Sequence, residues 1–339
     1  MTKKRLFALL CAATMTLSLT GCFGGAGTAS SGAASGGAAS GASSGAASGE
    51  KYVIGMTVNN VGADPYQTAY YDAAVAHAAE LGVELKILDP VGDVTKQQNQ
   101  IQDLISMNCD VIVLWPCNAE AGVALAKQVQ AAGIPLMTAN NNVAEEGHQY
   151  VTCYVGPSNV LEGQQTAEQM VADVGPDAKV LYIEGQAGYT ASEERHQGFE
   201  NGIEGTNIEV LDYQISDGNR EKAQQVMENY LVKYAEGTVD AVFCMDDNLA
   251  IGAVNAMKAA GRTDIKVYAA ACGDYNTLTY IEAGDLRATA MQSPIIDAET
   301  AIDYAVRIAK GETIADFNNY METPVATADN MAELDIAEW

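Results

Sequence analysis

The chain has 339 residues, 48% of them hydrophobic, which is enough to build a core for one large domain or two modest ones. Lys and Arg number 18 against 44 Asp and Glu, giving a formal net charge of -26 at pH 7. So acidic a surface repels phosphate backbones and anionic lipid headgroups, which argues against nucleic-acid binding and against membrane docking through a basic patch.

The N-terminal segment has the layout of an export signal. Basic residues at its start precede a mostly apolar stretch, 6–19, which is too short for a typical membrane span. The stretch runs into Leu-Thr-Gly-Cys, which resembles the cleavage box of bacterial lipoproteins. That resemblance implies a signal peptide over 1–21 and a lipid on Cys22, so we expect an extracytoplasmic protein anchored to the cell membrane. An ordinary cleaved signal followed by an incidental cysteine is the alternative.

A spacer follows the leader. Residues 23–49 are almost entirely Gly, Ala and Ser, a composition that buries no core and behaves as a flexible chain. Together with the lipidated cysteine they form a predicted linker over 22–50. Folding is expected to begin near Tyr52.

Beyond the linker, apolar strand patterns alternate with helical ones. The predicted strands cover 52–58, 83–88, 111–115, 134–138, 179–183, 210–214, 241–245 and 266–271. The predicted helices cover 67–81, 96–107, 122–132, 161–174, 192–204, 220–234 and 248–260. Repeated strand–helix–strand units form parallel sheets with helices on both faces, joined by right-handed crossovers. Because the series restarts midway, the predicted fold class is α/β, with two doubly wound parallel-sheet lobes.

Polar residues cluster directly after several predicted strands. The polar segments are 59–60, 64–67, 115–118, 140–142, 246–248 and 273–276. Asn and Asp favour turns and helix caps, so any one of these residues alone is explained by local structure. Open parallel sheets bind ligands beyond the carboxyl ends of their strands, however, and the enrichment at several such ends predicts a binding cleft.

Six short segments carry a recognisable pattern in one order. They are Ile-Gly-Met-Thr-Val-Asn at 54–59, Asp-Pro-Tyr at 64–66, Gly-Ile-Pro at 133–135, Glu-Arg-His-Gln-Gly-Phe at 194–199, Phe-Cys-Met-Asp-Asp-Asn-Leu-Ala-Ile-Gly at 243–252 and Ala-Thr-Ala-Met-Gln at 288–292. In their order and spacing, over about 52–323, they resemble the sugar-binding proteins of the type I periplasmic-binding fold. The closest pattern is that of the ribose-binding proteins.

The resemblance implies two lobes joined by a three-stranded hinge, which close on a ligand as a clamp. The chain is expected to cross between the lobes near Gly156, Gln292 and Thr323. The lobes implied are a first of 51–155 with 294–322 and a second of 156–291 with 323–339. The implied function is that of a monomeric substrate-binding lipoprotein, without cofactor, which captures a sugar or polyol and delivers it to an ABC permease and its ATPase.

Residues that match the family's ligand positions fall in both lobes. The implied ligand-binding set is Asp64, Tyr66, Gln67, Asn140, Asn141, Arg195, Asp246, Cys272 and Gln292. A sugar presents hydroxyls at its edges and C–H groups on its faces, so paired planar donors and acceptors with an aromatic wall suit it. Trp115 is a further candidate for that wall, with a core position as the alternative.

Two departures from the family pattern bear on the ligand. Asn140 and Asn141 stand where the family has an Asp-Arg pair. This replacement removes charged side chains that form paired hydrogen bonds to hydroxyls. Cys272 stands where the family has an aspartate, and a thiol is a weak acceptor. Either Asp274 turns toward the ligand instead, or the ligand lacks that hydroxyl. The set still suits a polar hydroxylated ligand, and Arg195→Ala is expected to abolish most binding while leaving the fold intact.

No catalytic or metal-binding motif stands out. The sequence has no Gly-x-Ser-x-Gly elbow, no phosphate-binding Gly-x-x-x-x-Gly-Lys loop, no His-Glu-x-x-His and no Cys-x-x-Cys. We therefore expect no enzyme activity, no cofactor and no metal, with a single disulfide left open. A transcriptional regulator of this fold would carry an N-terminal helix-turn-helix where the leader and spacer stand. A receptor feeding a chemotaxis, sensor-kinase or quorum system, and a binder of a non-sugar polar ligand, remain alternatives.

Overall fold

The structure is a computed structural model that describes residues 51–63, 65–334 and 339. The predicted signal peptide, Cys22, the linker and Asp64 lie outside the described residues. Within the described ranges, no helix combines the length and the apolar character needed to cross a bilayer.

Strands and helices alternate along the described chain. The strands are β1 (Val53–Thr57), β2 (Glu84–Leu88), β3 (Val111–Leu114), β4 (Leu136–Ala139), β5 (Tyr154–Gly156), β6 (Lys179–Glu184), β7 (Glu209–Ile215), β8 (Ala241–Cys244), β9 (Lys266–Cys272), β10 (Ala288–Met291), β11 (Asn318–Tyr320) and β12 (Val325–Thr327). The helices are α1 (Pro65–Glu80), α2 (Val94–Ser106), α3 (Ala119–Ala131), α4 (Asn159–Val174), α5 (Thr190–Ile203), α6 (Arg220–Lys233), α7 (Asp247–Ala260), α8 (Tyr275–Glu282) and α9 (Pro294–Ala309). Short 3-10 turns cover Glu145–Tyr150 and Met331–Glu333.

The strands form two sheets with the same internal order. The first sheet runs β11-β5-β4-β3-β1-β2 and is parallel throughout. The second runs β12-β10-β9-β8-β6-β7 and is parallel except for the antiparallel edge pair of β10 and β12. Apolar side chains pack on both faces of each sheet, as parallel sheets require. The predicted fold class, an α/β protein with two parallel-sheet lobes, is confirmed.

The chain passes from one lobe to the other at three places. These passages lie between β5 and α4, between β10 and α9, and between β11 and β12. After the second passage α9 returns to the first lobe, where it packs beside α1 and β5. The sequence pattern did not indicate β11 and β12, because strands of three residues are too short to show a periodic apolar run.

Several helices begin earlier than their apolar pattern indicates. α2, α3 and α4 start two or three residues before the predicted positions, each behind a capping side chain. The Asp93 carboxylate accepts from the Lys96 amide at 2.9 Å, the Asn118 side chain accepts from Ala121, and Ser158 accepts from Leu161. These caps satisfy amides of the first turn, which needs no apolar residue of its own.

A close contact of α4 and α5 positions the second lobe's arginine. A Cβ atom added at Gly163 on α4 would lie 2.2 Å from the main-chain oxygen of Arg195 on α5. At Gly198 the added atom would lie 2.1 Å from the oxygen of Val160. Only glycine permits this separation of the two backbones, since an alanine methyl group at either point would overlap a carbonyl group.

Gly163→Ala should therefore destabilise the second lobe. The added methyl group meets backbone rather than a side chain, so the helices must separate, and we expect the free energy of unfolding to fall by about 1–3 kcal/mol. Urea unfolding followed by circular dichroism measures the change. Glu168→Ala, at an exposed position of the same helix, should stay within about 0.5 kcal/mol of the wild type. An equally stable Gly163→Ala protein would contradict the close packing.

Candidate ligand-binding site

A cavity of about 280 Å³ lies between the two lobes. It opens beyond the carboxyl ends of strands from both sheets, where parallel sheets bind their ligands. Its volume is close to the lower end of the range of roughly 300–1,000 Å³ for small-molecule sites. The lining mixes amides, carboxylates and guanidinium groups with aromatic rings.

Most of the predicted ligand-binding residues meet at this cavity. Those that line it are Tyr66, Gln67, Trp115, Asn140, Arg195, Asp246, Cys272, Asp274 and Gln292. They come from segments that are far apart in sequence, and both lobes contribute. Their role in binding a ligand stays a prediction, and their convergence makes them available for it.

Asn141 is placed differently from its predicted role. Its amide nitrogen donates to the Tyr189 hydroxyl at 2.7 Å, and its oxygen accepts from the Ala191 amide at 3.1 Å. Asn140 adopts a left-handed φ of 59°, a conformation that asparagine tolerates. Its side chain lines the cavity and accepts from the Asn141 amide at 3.0 Å, while the other bonds of Asn141 join the first lobe to the second.

Two more contacts close the same edge of the cleft. The Thr190 hydroxyl donates to the carbonyl oxygen of Asn142 at 3.0 Å. The Asn118 amide donates to the carbonyl oxygen of Gly188, also at 3.0 Å. Together with the bonds of Asn141, they hold the lobes in direct contact beside the cavity, which is therefore partly shielded from water.

The Tyr66 hydroxyl is the centre of a buried network at the first lobe. It donates to the Asp297 carboxylate at 2.8 Å and accepts from the side-chain amides of Gln292 at 2.6 Å and Asn140 at 3.2 Å. The Asn140 amide also donates to Asp297 at 2.7 Å. Burial raises the pKa of Asp297 to about 7, although Asn140 and Tyr66 favour its charged form. Asp297 was missed by the sequence reasoning.

Arg195 is anchored on the side of the second lobe. It is 5% exposed, and its Nε donates to the Glu162 carboxylate at 2.9 Å while Nη2 donates to the Gln292 oxygen at 3.0 Å. Burial disfavours the charge of Arg195, but Glu162 outweighs it and raises the pKa of Arg195 above its ordinary value. Burial also raises the pKa of Glu162 to about 7, against the pull of Arg195. The guanidinium group is thus pre-oriented at the cavity.

The carboxylates at the second lobe's strand ends serve as helix caps and as cavity lining. Asp246 accepts from the Leu249 amide at 2.9 Å, and Asp274 accepts from the Thr277 amide at 2.6 Å. A carboxylate has two oxygens, so a cap bond to one does not by itself prevent the other from facing the cavity. Beside them, burial raises the pKa of the Cys272 thiol, which keeps it neutral. This corner offers carboxylates in addition to the thiol.

Aromatic rings line the first-lobe side. Trp115 is buried and contacts Tyr70 edge-on with ring centroids 5.0 Å apart, so it belongs to the core and to the cavity lining at once. Among the described residues its Nε1 has no hydrogen-bond partner. Two aromatic lining residues, Tyr189 and Trp339, were not predicted. Trp339 lies beyond the segments that carry the family pattern, and no spacing in the sequence could have indicated it.

Two similar parallel-sheet lobes around a polar cavity define a ligand-binding protein of the periplasmic-binding type. The chain belongs to the periplasmic binding protein domain family, whose model matches residues 54–313. The resemblance found in the sequence is thereby confirmed.

Known relatives bind small polyhydroxylated molecules. The ribose import binding protein of Escherichia coli is 30% identical over 258 residues, which cover 76% of this chain and 84% of the relative. The xylitol-binding protein of Mycolicibacterium smegmatis is 25% identical, over 82% of this chain and 78% of its own length. An ABC transporter solute binding protein from Bacillus halodurans, solved with bound myo-inositol, is 27% identical with a TM-score of 0.77. That match covers 84% of this chain and 96% of the solved one.

Proposed function

We propose that the chain is the substrate-binding lipoprotein of an ABC importer, and that it holds one sugar or polyol between its lobes. The observation that supports this most is the cavity itself, where Arg195, Gln292 and Asn140 lie among aromatic rings. Their side chains supply paired donors and acceptors, which are the groups that bind neighbouring hydroxyls. The similarity to ribose and xylitol binding proteins favours the same ligand class.

In this proposal the first lobe comprises 51–155 and 294–322, and the second comprises 156–291 and 323–339. The acylated Cys22 anchors the protein outside the cell membrane, and the linker lets the monomeric clamp reach its permease. Closure over the ligand presents both lobes to the permease, which then receives the ligand. The bound molecule is released unchanged, because the chain acts as a binding protein and not as an enzyme.

A ligand screen tests the proposal. The purified protein is heated with single sugars, polyols, nucleosides or amino acids, and its melting temperature is recorded. A ligand that binds only the folded state raises that temperature by mass action. We expect a rise with a sugar or polyol, followed by recovery of the molecule unchanged. A rise only with an amino acid or nucleoside would contradict the ligand class, and turnover of the sugar would contradict the binding role.

A further inference from the structure

Trp339 contacts the cavity from an unexpected part of the chain. Its ring lies edge-on to Tyr66, with centroids 5.4 Å apart and planes at 89°. It is half-buried, lines the cavity and packs against the core of the first lobe. None of the segments that resemble the sugar-binding family includes it.

The described residues that precede Trp339 in the sequence lie on the other lobe. β12 belongs to the second sheet, and Met331 and Leu334 pack against the core of that lobe. Trp339 packs against the core of the first lobe. Trp339 thus lies on the first-lobe side of the cavity, whereas the described residues before it, up to Leu334, lie against the second lobe.

On the first-lobe side of the cavity, the aromatic wall consists of three rings, those of Tyr66, Trp115 and Trp339. The Gln67 side-chain oxygen accepts from the Asn60 amide at 2.7 Å, so this lining residue supplies a polar group and not a ring. Trp115 and Trp339 both stand nearly perpendicular to Tyr66, at 84° and 89°. The phenol of Tyr66 is itself tied to Asp297. Trp339, which lies in no strand or helix, therefore adds a second indole to that of Trp115 on this side of the cavity.

We propose that Trp339 is a wall of the binding cavity, against which the C–H face of a cyclic sugar or cyclitol lies. This inference rests on the proposed function. A flat indole matches the apolar face of a ring, whereas an open-chain polyol presents no such face. The hydroxyls at the edge of the ring then meet the polar groups around Arg195 and Gln292.

The chain contains two tryptophans, which makes the wall observable by fluorescence. In the full chain carrying Trp115→Phe, Trp339 is the remaining tryptophan, and its emission should change when a bound ring covers the indole. The probes are D-ribose, myo-inositol and xylitol, each titrated with parallel calorimetry. We expect D-ribose or myo-inositol, which are cyclic, to bind more tightly than xylitol, which is an open chain.

Truncation of the indole provides an independent measurement in the otherwise unchanged full chain. We expect Trp339→Ala to raise the dissociation constant for the bound cyclic ligand about tenfold. With Trp339→Phe, the constant should stay within about threefold of the wild-type value. Tyr275→Ala, which removes an exposed aromatic ring of α8 outside the cavity lining, should leave the constant unchanged.

The outcomes separate this inference from the proposed function. If a ring binds the wild type, yet Trp339→Ala binds it equally well and the emission of Trp339 does not change, the wall assignment is overturned and the proposed function stands. If xylitol binds more tightly than both D-ribose and myo-inositol, the inferred preference for a cyclic ligand is overturned. If no sugar or polyol of the wider screen binds the wild type, the proposed function fails first.

Discussion

Arg195→Ala should weaken ligand binding about 100-fold or more and should also destabilise the fold. The loss of binding is expected because hydrogen bonds from a charged donor contribute about 1.5–3 kcal/mol each, and a guanidinium group can supply several at once. The loss of stability follows from the pairing of Arg195 with Glu162, which is fully buried. Removing one partner of a buried pair costs about 3–5 kcal/mol.

The expected loss of stability differs from the expectation based on the sequence alone, in which the substitution leaves the fold intact. The sequence predicts that Arg195 faces a cleft, but it does not show that the same side chain neutralises a buried carboxylate. Isothermal calorimetry measures the binding, and chemical unfolding measures the stability of the same protein.

A double variant separates the two effects. In Arg195→Ala with Glu162→Gln the unpaired charge is gone, so most of the lost stability should return while ligand binding stays weak. Arg307→Ala is the matched control, because Arg307 is a half-buried arginine paired with Glu312 outside the cavity. Its removal should change stability by no more than about 1 kcal/mol. Recovery of binding in the double variant would remove Arg195 from the site.

Much of the architecture could be predicted because the central strands are apolar runs. Val111–Leu114 and Ala241–Cys244, for example, are buried along their whole length, and a run of this kind indicates a strand covered on both faces. The positions of Asn140 and Asp246 followed from the strands, since each lies within two residues of the end of one. The resemblance to a family added Arg195 and Gln292, which lie within or next to elements whose pattern alone says nothing of a ligand.

One physical reason explains why the sequence did not reveal the two buried acids, Glu162 and Asp297. Glu162 and Asp297 lie in the first turns of α4 and α9, where an acidic residue is ordinary because it complements the helix dipole. Their burial depends on packing between elements that are distant in sequence, such as α4 with α5 and α9 with α1. Periodicity describes one element at a time, so it could not reveal that these acids are enclosed.

Asp297 should make the stability of the protein fall as the pH rises from 5 to 8. The carboxyl group titrates near pH 3.9 in an unfolded chain, whereas its pKa in the fold is about 7. Between these values the folded state holds a proton that the unfolded state has released, so the free energy of unfolding decreases with pH. The decrease contributed by Asp297 between pH 5 and 8 is about 3 kcal/mol.

Asp297→Asn isolates this contribution, because its amide oxygen can still accept from Tyr66 and Asn140 without carrying a charge. Thermal melts across the pH range should show a flatter dependence in this variant, and at pH 8 it should be at least as stable as the wild type.

Asp173→Asn is the control. Hydrogen bonds from Tyr268, Lys266 and Arg287 outweigh partial burial and lower the pKa of Asp173 to about 2. The stability that Asp173 provides is present above about pH 4 and is lost as the pH falls toward 2. Replacing Asp173 by Asn should therefore lower the curve of stability against pH without changing its slope between pH 5 and 8. An unchanged slope in Asp297→Asn would mean that Asp297 is already ionised in the fold at pH 5, held there by Tyr66 and Asn140.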